Sequence, residues 1–190
     1  MRGPNWRTVL DWAGTICLAL AFVLIFEAEV AKPYRIPSSS MEPTLHCAKP
    51  GRWCEGRFSD RVLVNRLAYR YSSPKRGQVI VFTAPPEAET ACGEGGTYVK
   101  RLIGLPGDVI SEEHGVVFVN GKRLRDHYIP ASYRDDITDV WPRVPKDHYF
   151  FMGDDRRHSC DSRTWGTVPR SSLIGPVLLT YWPPGRMHVD

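Results

Sequence analysis

The stretch Thr97 to Arg123, TYVKRLIGLPGDVISEEHGVVFVNGKR, decides how this chain is built. It holds three short apolar runs, each closed by a turn signal. In Tyr98–Gly104, alternation puts Lys100 on the face of Leu102, while Val99, Arg101 and Ile103 share the other face. Leu105-Pro106-Gly107-Asp108 suits a type II turn, with Pro fixing the first φ and Gly supplying the positive one. Val109–Glu112 and Val116–Val119 follow. Asn120-Gly121 then gives a strong hairpin signal, because a type I′ turn needs positive φ at both central positions. Short Val-, Ile-, Phe- and Tyr-rich runs between tight turns predict antiparallel sheet.

The same pattern extends both ways from this centre. Tyr34–Pro37, Arg61–Asn65, Gln78–Thr83, His148–Met152 and Pro176–Tyr181 read as further strands. No segment between Lys32 and Asp190 sustains a helical period, so residues 32–190 are expected to form one mainly β domain. Ala84–Gly96 (APPEAETACGEGG) and Tyr133–Asp147 carry charge, Pro or Gly without a period and read as loops. The composition agrees: 42% hydrophobic, 24% charged, and 16 each of Gly and Pro among 190 residues fit many turns between short strands. A net charge of +4, not gathered into a basic run with interleaved aromatics, gives no support to nucleic-acid binding.

The first thirty residues differ. Trp12 to Phe26 is continuously apolar (AGTICLALAFVLIF in its body), and carried on to Ala31 it makes a helix of roughly 30 Å, enough for a bilayer core. Glu27 and Glu29 would stand near one interface, with Trp6 and Trp12 toward the other. A cleaved signal peptide fits less well, because no small-x-small site follows closely. A buried helix is the other reading. Residues 1–31 are therefore expected to be a membrane anchor. Arg2 and Arg7 before it and Lys32 and Arg35 after it leave its orientation undecided by charge.

Of the five cysteines, Cys17 lies in the apolar stretch, and Cys47, Cys54, Cys92 and Cys160 permit three pairings. Cys47 and Cys54 flank a short Pro-Gly loop (CAKPGRWC), a setting for a local bridge in an oxidising compartment. The pairing expected is Cys47–Cys54 with Cys92–Cys160. Buried free thiols are the alternative, and a reactive thiol is one for Cys160. No CxxC or HxxxH spacing points to a metal.

Candidate chemistry centres on Ile36-Pro37-Ser38-Ser39-Ser40-Met41-Glu42-Pro43-Thr44-Leu45. Serine clusters are most often polar loops. Here Pro37 and Pro43 restrict the backbone on both sides, as suits a presented nucleophile, and neighbouring hydroxyls can donate to an oxyanion. The base is open among His46, His114, His127, His148, His158 and His188, with His158 and Asp161 near enough in sequence to suggest a triad, and Lys100. A lysine on an apolar strand face is a candidate buried base, and a snorkelling edge lysine is its bland alternative.

Three segments, taken together and in order, resemble the boxes of the type I signal peptidases. They are Ser38-x-Ser40-Met41-x-Pro43-Thr44-Leu45, Tyr98-Val-Lys-Arg-Leu-Ile-Gly-Leu-Pro-Gly-Asp108, and Gly153-Asp-Asp-Arg-Arg-His-Ser-Cys-Asp-Ser-Arg163. Arg76-Gly-Gln-Val-Ile-Val-Phe82 resembles a further box between the first two. The resemblance spans nearly all of residues 32–190. It implies an antiparallel β fold of the signal peptidase/LexA-like type and a membrane-anchored serine endopeptidase needing no cofactor or metal. Its partners would be the signal peptides of exported preproteins and the lipid bilayer, and its oligomeric state stays open. Ser40 would be the nucleophile and Lys100 its base, with Ser38 and the Ser40 N–H forming the oxyanion hole. Ser159 would orient the lysine, with Asp161 and Arg163 as a supporting ion pair. Tyr34, Ile36, Pro37, Met41, Leu45, Val81, Tyr98 and Val99 would line shallow pockets selecting Ala-x-Ala before the cut. The family also implies an amino terminus inside the cell membrane and a catalytic domain outside it. For Lys100 to be neutral its pKa must fall from about 10.4, and three units by desolvation cost on the order of 4 kcal/mol.

Three positions depart from the family pattern: Ser39 stands for a frequent Gly, Gly77-Gln78 for Gly-Asp, and Asp155 for Asn. Competing readings are a self-cleaving repressor, which would need a DNA-binding domain and no span, and a conjugation-specific peptidase. A tethered β domain that binds without catalysis is the third, and it leaves the three boxes a coincidence.

Overall fold

The computed structural model describes residues 6–93 and 95–189, with backbone alone for residues 25–29. The interfacial placements expected for Arg2 and the side chains of Glu27 and Glu29 lie outside the described residues. Helix α1 (Trp6–Glu29) is 24 residues long. Its apolar window Trp6–Leu24 is not buried against the rest of the chain. Trp6, Leu10, Trp12, Leu18, Phe22 and Leu24 all stand exposed along it. At 1.5 Å per residue it is about 36 Å long, enough to cross a bilayer core.

Among the described residues, twelve strands follow. In chain order they are β1 (Ala31–Arg35), β2 (Arg61–Asn65), β3 (Val79–Thr83), β4 (Thr97–Gly104), β5 (Ile110–Glu113) and β6 (Val116–Val119). Then come β7 (Lys122–Arg123), β8 (Asp139–Val140), β9 (His148–Met152), β10 (Val168–Pro169), β11 (Leu173–Trp182) and β12 (His188–Val189). A large sheet runs β1-β2-β11-β3-β4-β9-β10, with β12 beside β11. A smaller sheet runs β7-β6-β5-β8. Every strand pair is antiparallel. The ten-residue β11 joins the halves of the large sheet, pairing β3 through its first residues and β2 through its last.

The mainly antiparallel β architecture is as expected. Both turns of the central stretch form: Asp108 N donates to Leu105 O at 3.0 Å, and Asn120 and Gly121 have φ of 52° and 74°. The first strand sits earlier than Tyr34–Pro37. It starts at Ala31 and carries Pro33, which the sheet tolerates because β1 is an edge with no neighbour beyond it.

The segment 84–96 is not a plain loop. It contains helix α3 (Pro86–Cys92), with Pro in the first turn, Glu87 and Glu89 at its start and Gly93 closing it at φ 72°. Seven residues are too few to show a period, but the Pro-first, Gly-last signature was present. Two more short helices escape a periodicity test for the same reason: α2 (Ala68–Tyr71) and α4 (Ser162–Trp165). The 133–147 segment contributes β8, which pairs β5.

Three apolar clusters organise the domain. One packs Ile36, Met41 and Leu45 against Val62, Val79, Val81 and Val177 on one face of the large sheet. Another gathers Ile80, Phe82, Leu102, Phe151 and Trp165 on the opposite face. A third, with Ile103, Ile110, Val117, Phe150 and Met152, fastens the small sheet to the ends of β4 and β9. Both disulfides form as expected, Cys47–Cys54 and Cys92–Cys160. Cys17 is free and exposed on α1.

Candidate active site

Residues Ser39–Met41 make a single 3-10 turn just after β1, with Ser38 extended before it. That turn points two hydroxyls at each other: Ser38 Oγ and Ser40 Oγ lie 3.3 Å apart. Met41 and Leu45, both fully buried, anchor the turn from below. Lys100 arrives from β4, opposite Ile80 on β3, and is 4% exposed. Pro37, Ser38, Ser40, Tyr98, Val99 and Lys100 line one cleft of about 390 Å³ together with Cys92, His158 and Cys160. The cleft thus joins two serine hydroxyls and a buried lysine, and burial disfavours the ammonium form of a lysine.

The catalytic-box segment packs onto the nucleophile turn at its backbone. Asp155 N donates to Ser40 O at 3.2 Å. Gly153 passes so close that a Cβ there would fall 2.4 Å from Ser40 O and 2.2 Å from Ser159 Oγ. Only glycine fits. Ser159 Oγ is buried and has no hydrogen-bond partner, so it holds no orienting bond with Lys100 in this state.

Asp161 and Arg163 pair as expected: Arg163 Nε reaches Asp161 Oδ1 at 2.8 Å, and Gly153 N donates to Asp161 Oδ2 at 2.9 Å. Burial pushes the Asp161 carboxyl up. The charge and hydrogen bonds of Arg163, the Gly153 N–H and Lys100 in its ammonium form outweigh it and hold the group below the usual carboxylate range. Asp161 thus stays ionised within the 153–163 segment, in a pair that is neutral overall. The pair also excludes a triad, because Asp161 is committed to Arg163. His158 Nδ1 instead meets Asp155 Oδ2 at 2.9 Å.

The predicted pocket residues come together only in part. Ile36, Met41, Leu45 and Val81 belong to one apolar cluster, with Tyr34 and Val99 packed on it. Tyr98 packs on the opposite-face cluster. Pro37, Tyr98 and Val99 line the cleft, whereas Ile36, Met41, Leu45 and Val81 are buried in the core and do not line it.

Sequence reasoning missed the lock that ties the three boxes. Arg101 Nη2 reaches Asp154 Oδ2 at 2.6 Å, Arg101 Nη1 donates to Gly77 O at 2.7 Å, and Thr44 Oγ1 donates to Asp154 Oδ2 at 2.5 Å. A bidentate, half-buried guanidinium fixes register where a single bond would not. The signal was present, since all three residues lie inside the boxes. Glu42 was missed too. Its Oε1 accepts from Cys47 N and Glu55 N, both at 3.1 Å, and its Oε2 pairs with His46 Nδ1. Donor atoms of Glu42, His46 and Glu55 lie within 4.8 Å of one another, but the Glu42 carboxylate is already spent on the loop it organises.

Comparison with known proteins accounts for this arrangement. The probable signal peptidase I-2 of Synechocystis sp. is 37% identical over 97% of this chain and 78% of its own length. Signal peptidase I of Leptolyngbya laminosa is 35% identical over 94% of this chain and 82% of its own. Signal peptidase I of Bacillus amyloliquefaciens is 33% identical over 92% and 89%. The family model for "Signal peptidase, peptidase S26" matches residues 9–182, a range that holds all three boxes, the cleft and the lock between them. The chain belongs to the signal peptidase family, peptidase S26.

Proposed function

We propose that this chain is a membrane-anchored serine endopeptidase that removes signal peptides from exported preproteins, using Ser40 and Lys100 and cutting after small-x-small sites such as Ala-x-Ala. The observation that carries the reading is the shared cleft of Ser38, Ser40 and the buried Lys100. Lys100, neutral, takes the Ser40 proton as Oγ attacks the scissile carbonyl. The Ser40 N–H and the Ser38 hydroxyl receive the oxyanion. The resulting Lys100 ammonium then gives its proton to the leaving amine, and the neutral amine activates water to hydrolyse the acyl-enzyme. Ser159, a buried hydroxyl with unused capacity, is an acceptor for that ammonium when it forms. The Asp161 charge favours it.

Selection of small side chains is supported by the filled apolar cluster of Ile36, Met41, Leu45 and Val81 against which the cleft residue Val99 packs, since a filled core leaves little depth for large ones. Residues 1–31 serve as a single-pass anchor in the cell membrane and residues 32–190 as the extracytoplasmic domain. The unburied apolar helix and two disulfides support that placement, since disulfides persist outside the reducing cytoplasm. The test is cleavage of a preprotein bearing an Ala-x-Ala site by the full-length enzyme in detergent, with the product's new amino terminus sequenced. Cleavage after the second Ala, abolished in Ser40→Ala and in Lys100→Ala, is expected. Activity surviving in Lys100→Ala would remove the lysine from the mechanism.

A further inference from the structure

The cleft carries a histidine that the Ser–Lys mechanism does not use. His158 lines the cleft with Ser40 and Lys100. Its Nδ1 meets Asp155 Oδ2 at 2.9 Å, and its backbone N–H also points to Asp155 Oδ1, at 3.3 Å. A carboxylate can only accept, so Nδ1 carries the hydrogen and Nε2 of the neutral ring is an acceptor. Nε2 makes no hydrogen bond among the described residues.

The ring is held from a second direction. Trp53 stacks on it with ring centroids 4.2 Å apart and planes within 15°. Trp53 is 56% exposed and has φ of 64°, a left-handed backbone that a bulky side chain rarely adopts. It sits next to Cys54, in the loop closed by the Cys47–Cys54 disulfide and braced internally by Glu42. Strain of this kind persists only where the surroundings over-determine it, and it marks functional positions. Nothing about core burial explains it, since the indole faces largely to solvent.

We infer that His158 binds the chain that leaves on cleavage, its Nε2 accepting a backbone N–H from the first residues beyond the scissile bond, and that Trp53 is the positioning residue for its ring. This rests on the peptidase reading above. The side follows from what the chain before the cut already occupies on that reading. Its contacts are Pro37 and Val99, whose neighbours Ile36 and Val81 pack in one apolar cluster. His158 and Cys160 line the same cleft from the 153–163 segment, outside that cluster, and so are left for the chain beyond the cut. An extended backbone presents an N–H to each side in turn, and an acceptor held on a rigid ring selects one of them.

The experiment uses the full-length enzyme in detergent and two peptides identical through an Ala-x-Ala site. One ends a single residue past the cut and the other four residues past it. The wild type is expected to gain about tenfold in kcat/KM on lengthening, carried mainly in KM, as a backbone hydrogen bond of this kind allows. His158→Phe keeps the ring and removes the acceptor, so the gain should shrink to about twofold, whereas His158→Gln restores an acceptor oxygen and should keep most of it. Trp53→Ala should reduce the gain, and Trp53→Phe should retain it. An undiminished gain in both His158→Phe and Trp53→Ala would overturn the assignment. So would an equal fall in kcat on both peptides, which would make His158 a structural or proton-transfer group. If the wild type cuts both peptides with no dependence on length, this inference alone fails; if it cuts neither, the peptidase reading fails with it.

Discussion

At Gly153 the backbone of the 153–163 segment comes within contact of both the Ser40 carbonyl and the Ser159 side chain. A Cβ at 2.2 Å from Ser159 Oγ and 2.4 Å from Ser40 O has no room, and one of its neighbours is backbone. Gly153→Ala must therefore move the Ser40 turn or the segment that carries Ser159. A displacement near 1 Å in a catalytic constellation costs about 100-fold, so kcat/KM should fall by at least about that factor while far-UV circular dichroism stays unchanged. Full activity in the variant would show that Ser40 does not depend on this approach. The Ser38 hydroxyl, 3.3 Å from Ser40 Oγ, gives a second residue-scale prediction: Ser38→Ala should lower kcat by about 100- to 1,000-fold with KM little changed, as loss of an oxyanion donor does. That Ser38, Ser40 and Lys100 meet in one cleft was legible because each sits in a short motif whose order along the chain matches a family. The Arg101–Asp154–Thr44 lock was not, because it joins residues up to 110 positions apart and local pattern carries no record of such partners.

Among the short helices that the sequence hid, α3 is the one the Cys92–Cys160 disulfide explains. A seven-residue helix cannot hold its own against the cost of nucleation. The disulfide ties its last residue to the catalytic segment, and Ala88 and Cys92 pack on the sheet face beneath. The two disulfides differ in what they restrain, with sequence separations of 68 for Cys92–Cys160 and 7 for Cys47–Cys54. Loop-closure entropy makes the long one worth about 4 kcal/mol and the short one roughly 2–3 kcal/mol. Cys92→Ser with Cys160→Ser should lower Tm more than Cys47→Ser with Cys54→Ser. Because Cys92 and Cys160 line the cleft, the first pair should also lower kcat/KM. Melting curves and kinetics of the two double variants check both statements. Equal Tm losses would mean that native packing, not chain entropy, sets the contribution of the longer bridge.

For the molecule as a whole, the strands were readable from alternation and turns, while the way the two sheets are joined was not. The junction is a buried charge cluster drawn from three separate segments. Glu112 of β5 faces Arg163 at 3.6 Å and Arg156 at 3.9 Å, and Arg163 also pairs with Asp161 and Asp135. Neither Glu112 oxygen has a hydrogen bond, nor does either terminal nitrogen of Arg156. Burial pushes the Glu112 carboxyl up to about 7. Arg163 and Arg156 pull it down, while Asp135 and Asp161 push it further up. Below pH 4.5 the group is protonated folded or unfolded and does not affect stability. Between 4.5 and about 7 the folded state keeps a proton that the unfolded chain has released, so stability falls as pH rises. Above that window the loss is complete and on the order of 3 kcal/mol. Asp161 acts in the opposite sense at lower pH: its carboxyl is held down in the fold, so the stability it contributes is present above its ordinary value and lost as pH falls through the folded one. The domain should therefore be most stable on the acid side of neutrality. Glu112→Gln mimics the protonated form, so its denaturation midpoint should match the wild type near pH 5 and exceed it near pH 8. Denaturant titrations at pH 5, 6, 7 and 8 read this directly. Parallel profiles for the two proteins would mean that Glu112 is ionised throughout, with its two arginines outweighing its burial.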